Sequence, residues 1–477
     1  YYWEKFCASS RQLMLRAHAW RDAIAGVAVT TQRGTYINVD ASGGPLRPAI
    51  VWLDQRDATG SDWATPTMKL LYKGIGLYRK LDDYHKRCYA NWIREHQPEI
   101  WARTHKFLLL SGYFHYKLTG RFVESLGNNM GYLPVDAKTH RWAKKDSLLG
   151  RLFPIDETKL PDLVRQTEII GEISRGAAEE TGLPAGLPVV AAANDKGCEI
   201  LGAGVMSPET GCVSYGTIAT INAVSPRYVE VMRVYPPFPA AVPDLYYTEL
   251  SVVRGYWMVR WFMKEFGFKE EQMARERGVP TETLLDEMIK QVPPGADGLV
   301  LQPYWHPFWS YCGAEGRGSI IGFRDVHTRA HLYRAILEGI AYELKSGAIV
   351  TQKKHKVRFA SLRVSGGGAQ SDTAMQITAD VFGLPAERPH TTETSALGAA
   401  IDAAVGLGYY PDFGAAVRAM TRCKDRFEPV PANQELYREL YGRVYSRMYS
   451  GLRPQFSAIM DIMGRRRADA GDRHRMV

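Results

Sequence analysis

The stretch from Leu187 to Gly204, LPVVAAANDKGCEILGAG, leaves a chain few choices. Its continuous apolar run, bounded by Gly-Leu-Pro before and Asn-Asp after, predicts a strand over 187–193 covered on both faces. Asn194 and Asp195 then turn the chain into a helix of small residues. Asp195 therefore sits at the carboxyl end of the strand, where open α/β sheets place their ligand crevices. Further on, SYGTIAT (Ser214 to Thr220) sets a Gly-Thr turn between two β-prone runs. An acid at a strand end beside a Gly-Thr hairpin can unite a general base with a phosphate-holding loop. The same residues equally suit a helix cap and an ordinary hairpin.

The 477 residues are enough for two to four domains at about 150 residues each. Apolar content of 45% and charged content of 23% are those of a globular protein. No apolar run approaches the roughly 20 residues of a membrane span, so no membrane partner is expected. The six cysteines (Cys7, Cys88, Cys198, Cys212, Cys312 and Cys423) show neither CxxC nor metal-ligand spacing. Reduced thiols in a cytoplasmic enzyme fit that scatter better than a disulfide frame. The formal charge of +9 raises the question of nucleic acid. Its densest cluster, Arg465 to Arg467 with Arg473, His474 and Arg475, closes the chain and reads as a solvated tail.

Along the chain, residues 1–20 carry a loose helical stripe, and 21–29 turn to strand character before the polar loop Thr30-Thr31-Gln32-Arg33-Gly34. Strands are predicted over 35–39 and 49–53, the second ending at Asp54-Gln55-Arg56. Gln32, Arg33, Trp52 and Asp54 then stand at strand ends that can share one cleft. Polar donors beside an indole suit a polyhydroxylated ligand; surface polars around a packed Trp fit the residues equally well. A helical pattern runs from 69 to 119, and 122–132, with Asn128, Asn129 and Tyr132, reads as a loop at the border of the same cleft. Residues 225–250 read as long loop and short strands. The aromatic run PYWHPFWSYCG (Pro303 to Gly313) is open to a stacked base or sugar, a subunit contact in a homodimer, or packing of a long loop. Thr328 caps a strong helix. A strand at 359–364, the turn Ser365-Gly366-Gly367-Gly368-Ala369 and a helix capped by Ser371-Asp372 form a unit whose backbone can approach a nucleotide closely. TSALGAAIDAAVGL (Thr394 to Leu407) supplies a small-residue helix for tight packing beside it.

Together VAVTTQR, AIVWLDQR, NDKGCEILGAG, SYGTIAT, RAILEGIAYEL, VSGGGAQSD and ETSALGAAIDAAVGLG resemble the FGGY carbohydrate kinases in both order and spacing. The resemblance implies an α/β fold of two actin/hexokinase/Hsp70-like (ribonuclease H-like) domains around a central cleft. It implies a sugar-binding domain over 1–203, an ATP-binding domain over 204–418 and a helical extension with a basic tail over 419–477. By motif position Asp195 is similar to the family's general base, and Gln32, Arg33, Trp52 and Asp195 fall at the sugar. Gly216, Thr217, Gly322, Gly366, Gly367, Gly368 and Ser371 fall at ATP, with Mg²⁺ as its companion and no metal ligand assigned. The expected partners are thus ATP and a sugar or polyol: a ketose, an alditol or a relative.

Two departures stand out. The family's opening Gly-Thr phosphate hairpin has no counterpart in residues 1–20, which is the expectation for a chain truncated by roughly 60–80 residues. It also leaves a second reading, a non-catalytic actin-like nucleotide-binding or regulatory protein. Gly34 and Lys196 stand where glycerol-type members carry an acid and a Gln, which argues against glycerol.

Overall fold

A computed structural model describes residues 1–128, 132–305, 313 and 315–469. Asn129, the aromatic residues from 306 to 312, and Arg473, His474 and Arg475 lie outside the described residues.

The predicted central strand forms over Pro188–Val190. Val189 to Ala193 are fully buried, so nothing polar on the run has to be satisfied at either face. The strand pairs in parallel with Val27–Ala28 on one side and antiparallel with Ile169–Glu172 on the other. The second half is built on a seven-stranded mixed sheet. Its centre is the hairpin Thr210–Tyr215 and Ala219–Ser225, which continues into Tyr246–Val252. On its other edge Thr210–Tyr215 pairs in parallel with Ser361–Ser365, which pairs in parallel with Ala386–Pro389.

The helix predicted after Thr328 runs 27 residues, Arg329–His355, and its buried Ala335, Ile336 and Ile340 share one core with Val213, Ile221 and Leu250 of the sheet. Across the junction between the halves, the helices Asp195–Gly202 and Thr394–Gly406 meet backbone to backbone. A Cβ on Gly398 would stand 1.9 Å from the Cys198 carbonyl oxygen, and one on Gly202 would stand 1.9 Å from that of Thr394. Asp402 of the second helix accepts from the Ala193 amide at 3.3 Å, tying the helix to the central strand.

The structure corrects four local expectations. No strand forms over 49–53: Ile50 makes a single bridge to Tyr36, then the chain turns, the Asp54 amide donating to the Val51 carbonyl at 2.9 Å, with Trp52 and Leu53 exposed. The stretch 21–29 opens on the end of the 3₁₀ helix His18–Ala23, and only Val27–Ala28 join the sheet. The helical region 69–119 is interrupted by the strand Lys106–Leu109, paired with Tyr36–Val39. The expected loop after 122 begins as the strand Val123–Ser125. The carboxyl-terminal helices dock on the core of the second half through the buried Tyr437, Tyr445 and Met448, and the last helix, Ser446–Asp469, carries on through Arg465 to Arg467.

Candidate active site at the junction of the two halves

Asp195 opens the helix Asp195–Gly202, yet it is not the cap. Asn194 is: its Oδ1 accepts from the Gly197 amide at 2.9 Å, and its Nδ2 donates to the Gly127 carbonyl at 2.6 Å. Tyr247, from the sheet of the second half, donates its hydroxyl to the same Oδ1 at 3.2 Å. The Asp195 carboxylate is thereby left 45% exposed, and among the described residues it accepts a hydrogen bond only from its neighbour's amide, Lys196 N, at 2.8 Å. Its position in the cleft wall raises its pKa above the ordinary carboxylate value through desolvation, with Arg33 and Lys196 pulling the other way.

Arg33 reaches this point from the loop after Val27–Ala28. Its Nη2 donates to Glu249 at 3.1 Å, its Nη1 to the Tyr247 hydroxyl at 3.4 Å, and its Nε lies 3.9 Å from Asp195 Oδ1. The side chains of Arg33 and Glu249 are only 15% and 8% exposed, and the guanidinium lies over the Phe238 ring. The partner carboxylate holds Arg33 firmly protonated despite burial. Gln32, one residue earlier, donates to Thr35 Oγ1 at 2.9 Å. Arg33 and Asp195 are thus brought together. Trp52 is 39% exposed on its turn, and among the described residues no hydrogen bond or ring contact ties it to either.

The two Gly-rich turns are neighbours. Ser214 pairs with Ser365, so the turn at Gly216 and Thr217 and the turn at Gly366 to Gly368 leave adjacent strands side by side. Gly366 has φ +85°, and a Cβ there would lie 2.8 Å from the Tyr215 carbonyl oxygen, so only glycine fits. A Cβ on Gly368 would enter the Tyr256 ring, whose own amide donates to the Gly216 carbonyl at 3.1 Å. Gly367 faces open space, and Thr217 is exposed at the hairpin tip. Ser371 Oγ caps the helix Asp372–Phe382, accepting from the Ala374 amide at 3.0 Å. Gly322 ends the strand Ser319–Ile321, packed against the Gly298 carbonyl.

Beneath these turns runs a buried polar chain. Lys196 donates to Ser214 Oγ at 2.8 Å and is ion-paired with Glu199, which accepts from Ser365 Oγ at 2.6 Å. The helix of Asp195 is therefore bonded to both strands that end in the Gly turns. Glu199, Tyr247 and Glu249 had no part in the sequence argument. The available signal was the alternation in YYTELSV, which puts Tyr247 and Glu249 on one face of a strand.

Known proteins bear directly on this arrangement. Residues 1–202 match the N-terminal domain of the FGGY family of carbohydrate kinases, and residues 211–407 match its C-terminal domain. The chain belongs to the FGGY family. It is 31% identical over 440 residues to the uncharacterized sugar kinase YgcE of Escherichia coli, covering 91% of this chain and 81% of that protein. It is 28% identical over 425 residues to a xylulose kinase of Lactococcus lactis, covering 87% and 80%. The crystal structure of a xylulose kinase from Rhodospirillum rubrum superposes with a TM-score of 0.78 at 27% identity over 95% of this chain and 90% of that one. This FGGY kinase therefore has the expected two-domain α/β fold, and its activity is ATP-dependent phosphoryl transfer to a sugar.

Proposed function

We propose that the kinase phosphorylates a hydroxyl of a ketose, alditol or related polyol, with Asp195 as the general base. The observation that carries this reading is the separation of cap and carboxylate at the Asn194-Asp195 corner, which leaves Asp195 half-exposed beside Arg33. A base works best with its pKa drawn toward the working pH, and desolvation moves Asp195 in that direction. In this reading residues 1–203 hold the sugar through Gln32, Arg33 and Trp52. Residues 204–418 hold ATP, and the extension that begins at 419 braces the second half through Tyr437, Tyr445 and Met448.

The Gly216-Thr217 turn would offer backbone amides to the β- and γ-phosphates, and the Gly366 to Gly368 turn with Ser371 would take the adenosine. Gly322 would join these turns at ATP. Among the described residues no three His, Cys, Asp or Glu side chains converge as a metal cage. Mg²⁺ would come in on the ATP phosphates, where the ion typically keeps several waters and takes one or two carboxylates. When bound, it would neutralise phosphate charge. The chain's own residues would orient the sugar hydroxyl, take its proton at the Asp195 carboxylate and keep water from the phosphoryl group. Such a reaction suits the cytoplasm, where ATP is at hand.

The test is ADP release with Mg-ATP across ketoses, alditols, aldonates and glycerol. One sugar class is expected to turn over, and Asp195→Asn to reduce kcat about 10²–10⁴-fold with ATP binding kept. Near wild-type turnover in Asp195→Asn would sink the assignment of the base.

A further inference from the structure

On the outer face of the second half, a groove of about 590 Å³ lies between the end of the long helix Arg329–His355 and the segment that leads into strand Ser361–Ser365. That volume is in the range of sites for small organic ligands, about 300–1,000 Å³. Lys345, Lys353, Lys356 and Arg358 line it, and no carboxylate does. Among the described residues none of these four cations has an ion-pair partner. Lys345 is the most enclosed: its ammonium donates to the Val381 carbonyl at 2.7 Å and lies over the Tyr441 ring. Desolvation, with Arg438 adding repulsion, pushes its pKa down to about 8, so an anion in the groove would relieve an unfavourable charge. Ile349, Phe359 and Phe382 add an apolar wall.

We propose that this groove binds a small organic phosphate, with the phosphate on the lysine and arginine rim and the carbon skeleton against Ile349, Phe359 and Phe382. Four cations with no acid select a dianion, and lysine is an ordinary point-charge ligand for phosphate. The apolar wall distinguishes an organic phosphate from the inorganic ion.

The groove does not overlap the nucleotide turns. Phe359 packs on Gly211, near the amino end of strand Thr210–Tyr215, and Gly211 pairs with Leu362 at the amino end of strand Ser361–Ser365. Gly216 and Gly366 follow the carboxyl ends of those same two strands. A ligand in the groove is therefore one strand length from ATP and does not compete with it. This inference rests on the groove alone and stands whichever residue is the catalytic base.

Calorimetric titration tests it, with AMP, glucose 6-phosphate and inorganic phosphate as probes and the nucleotide site filled by a non-hydrolysable ATP analogue. Either organic phosphate is expected to bind, which also identifies a nucleotide or a sugar phosphate as the source. Binding should weaken about tenfold or more, some 1.4 kcal/mol, in the surface double variant K353E/R358E, whose kinase activity without the probe is unchanged. In the wild-type protein the probe should slow hydrogen exchange over residues 349–360. The proposal is overturned if neither organic phosphate binds or if the ATP analogue abolishes binding. It is equally overturned if inorganic phosphate binds as tightly as both, if the double variant binds unchanged, or if exchange over 349–360 is unaffected.

Discussion

Arg33 donates to Glu249 at 3.1 Å, from the first half of the chain to the central sheet of the second, 216 positions away. Both side chains are nearly enclosed, so each depends on the other for its charge to be tolerated there. Breaking such a pair from one side costs about 3–5 kcal/mol, mostly as the penalty on the charge left behind. Glu249→Ala and Arg33→Ala are each expected to lose stability on that scale in denaturant titrations. The double variant should lose about 0.5–3 kcal/mol less than the sum. Strict additivity would mean that the contact carries no energy.

Gly366 and Gly367 separate fold from ligand. At Gly366 both the φ of +85° and the Tyr215 carbonyl forbid a methyl group, so Gly366→Ala should destabilise the protein by about 1–3 kcal/mol. Gly367 faces open space. Gly367→Ala should leave the melting temperature in place and raise KM for ATP, because its new methyl group stands where the nucleotide is proposed to lie. Thermal melts beside ATP kinetics check both. Equal melts for the two variants would refute the distinction.

The sequence made the Asp195 corner legible because it is local: an apolar run, two turn formers and a small-residue helix within one stretch of chain. The two Gly turns were legible for the same reason, and the resemblance supplied their common purpose. Arg33 with Glu249 was not legible, since no local pattern marks which distant carboxylate an arginine will meet. Strand Lys106–Leu109 was hidden because its apolar run flows without a break into the helix Leu110–Thr119. No strand forms at 49–53 because the chain turns after Val51, and an apolar run does not show where its pairing stops.

Glu343 gives the fold a pH signature. It lies on the buried side of the long helix, accepts from the hydroxyls of Tyr445 at 2.7 Å and Tyr304 at 3.0 Å, and desolvation pushes its pKa from 4.5 up to about 7. The folded state therefore holds this proton more tightly than the unfolded chain. Its contribution is fully present below pH 4.5 and is lost as pH rises to about 7, on the order of 3 kcal/mol in all. Glu343→Gln carries no charge to titrate. Between pH 5 and pH 8 its stability should rise relative to wild type, as read in paired denaturant titrations. Parallel curves would contradict the assignment.

Gly398→Ala places a methyl group 1.9 Å from the Cys198 carbonyl oxygen, where neither helix has a side chain that can step aside. Overpacking of this kind costs about 1–3 kcal/mol. The displaced helix also carries Ser395, which donates to the Asp195 carbonyl at 3.0 Å. Turnover should therefore fall even in the fraction that stays folded, measured as kcat per active molecule below the melting transition. Unaltered kcat would show that the crossing does not hold Asp195 in its working position.

A proton acceptor changes its charge in every catalytic cycle, and whatever that charge supports is disturbed each time. At this corner the helix leans on the neutral Asn194 amide, which neither gains nor loses a proton. Asp195, one residue later, takes no part in that cap: its side chain accepts the next amide and faces Arg33 at 3.9 Å. The proposed chemistry can thus run through protonated and ionised forms while the helix cap beneath it is untouched. Exchanging the two residues would keep the composition and join the helix's start to the reaction's protonation state.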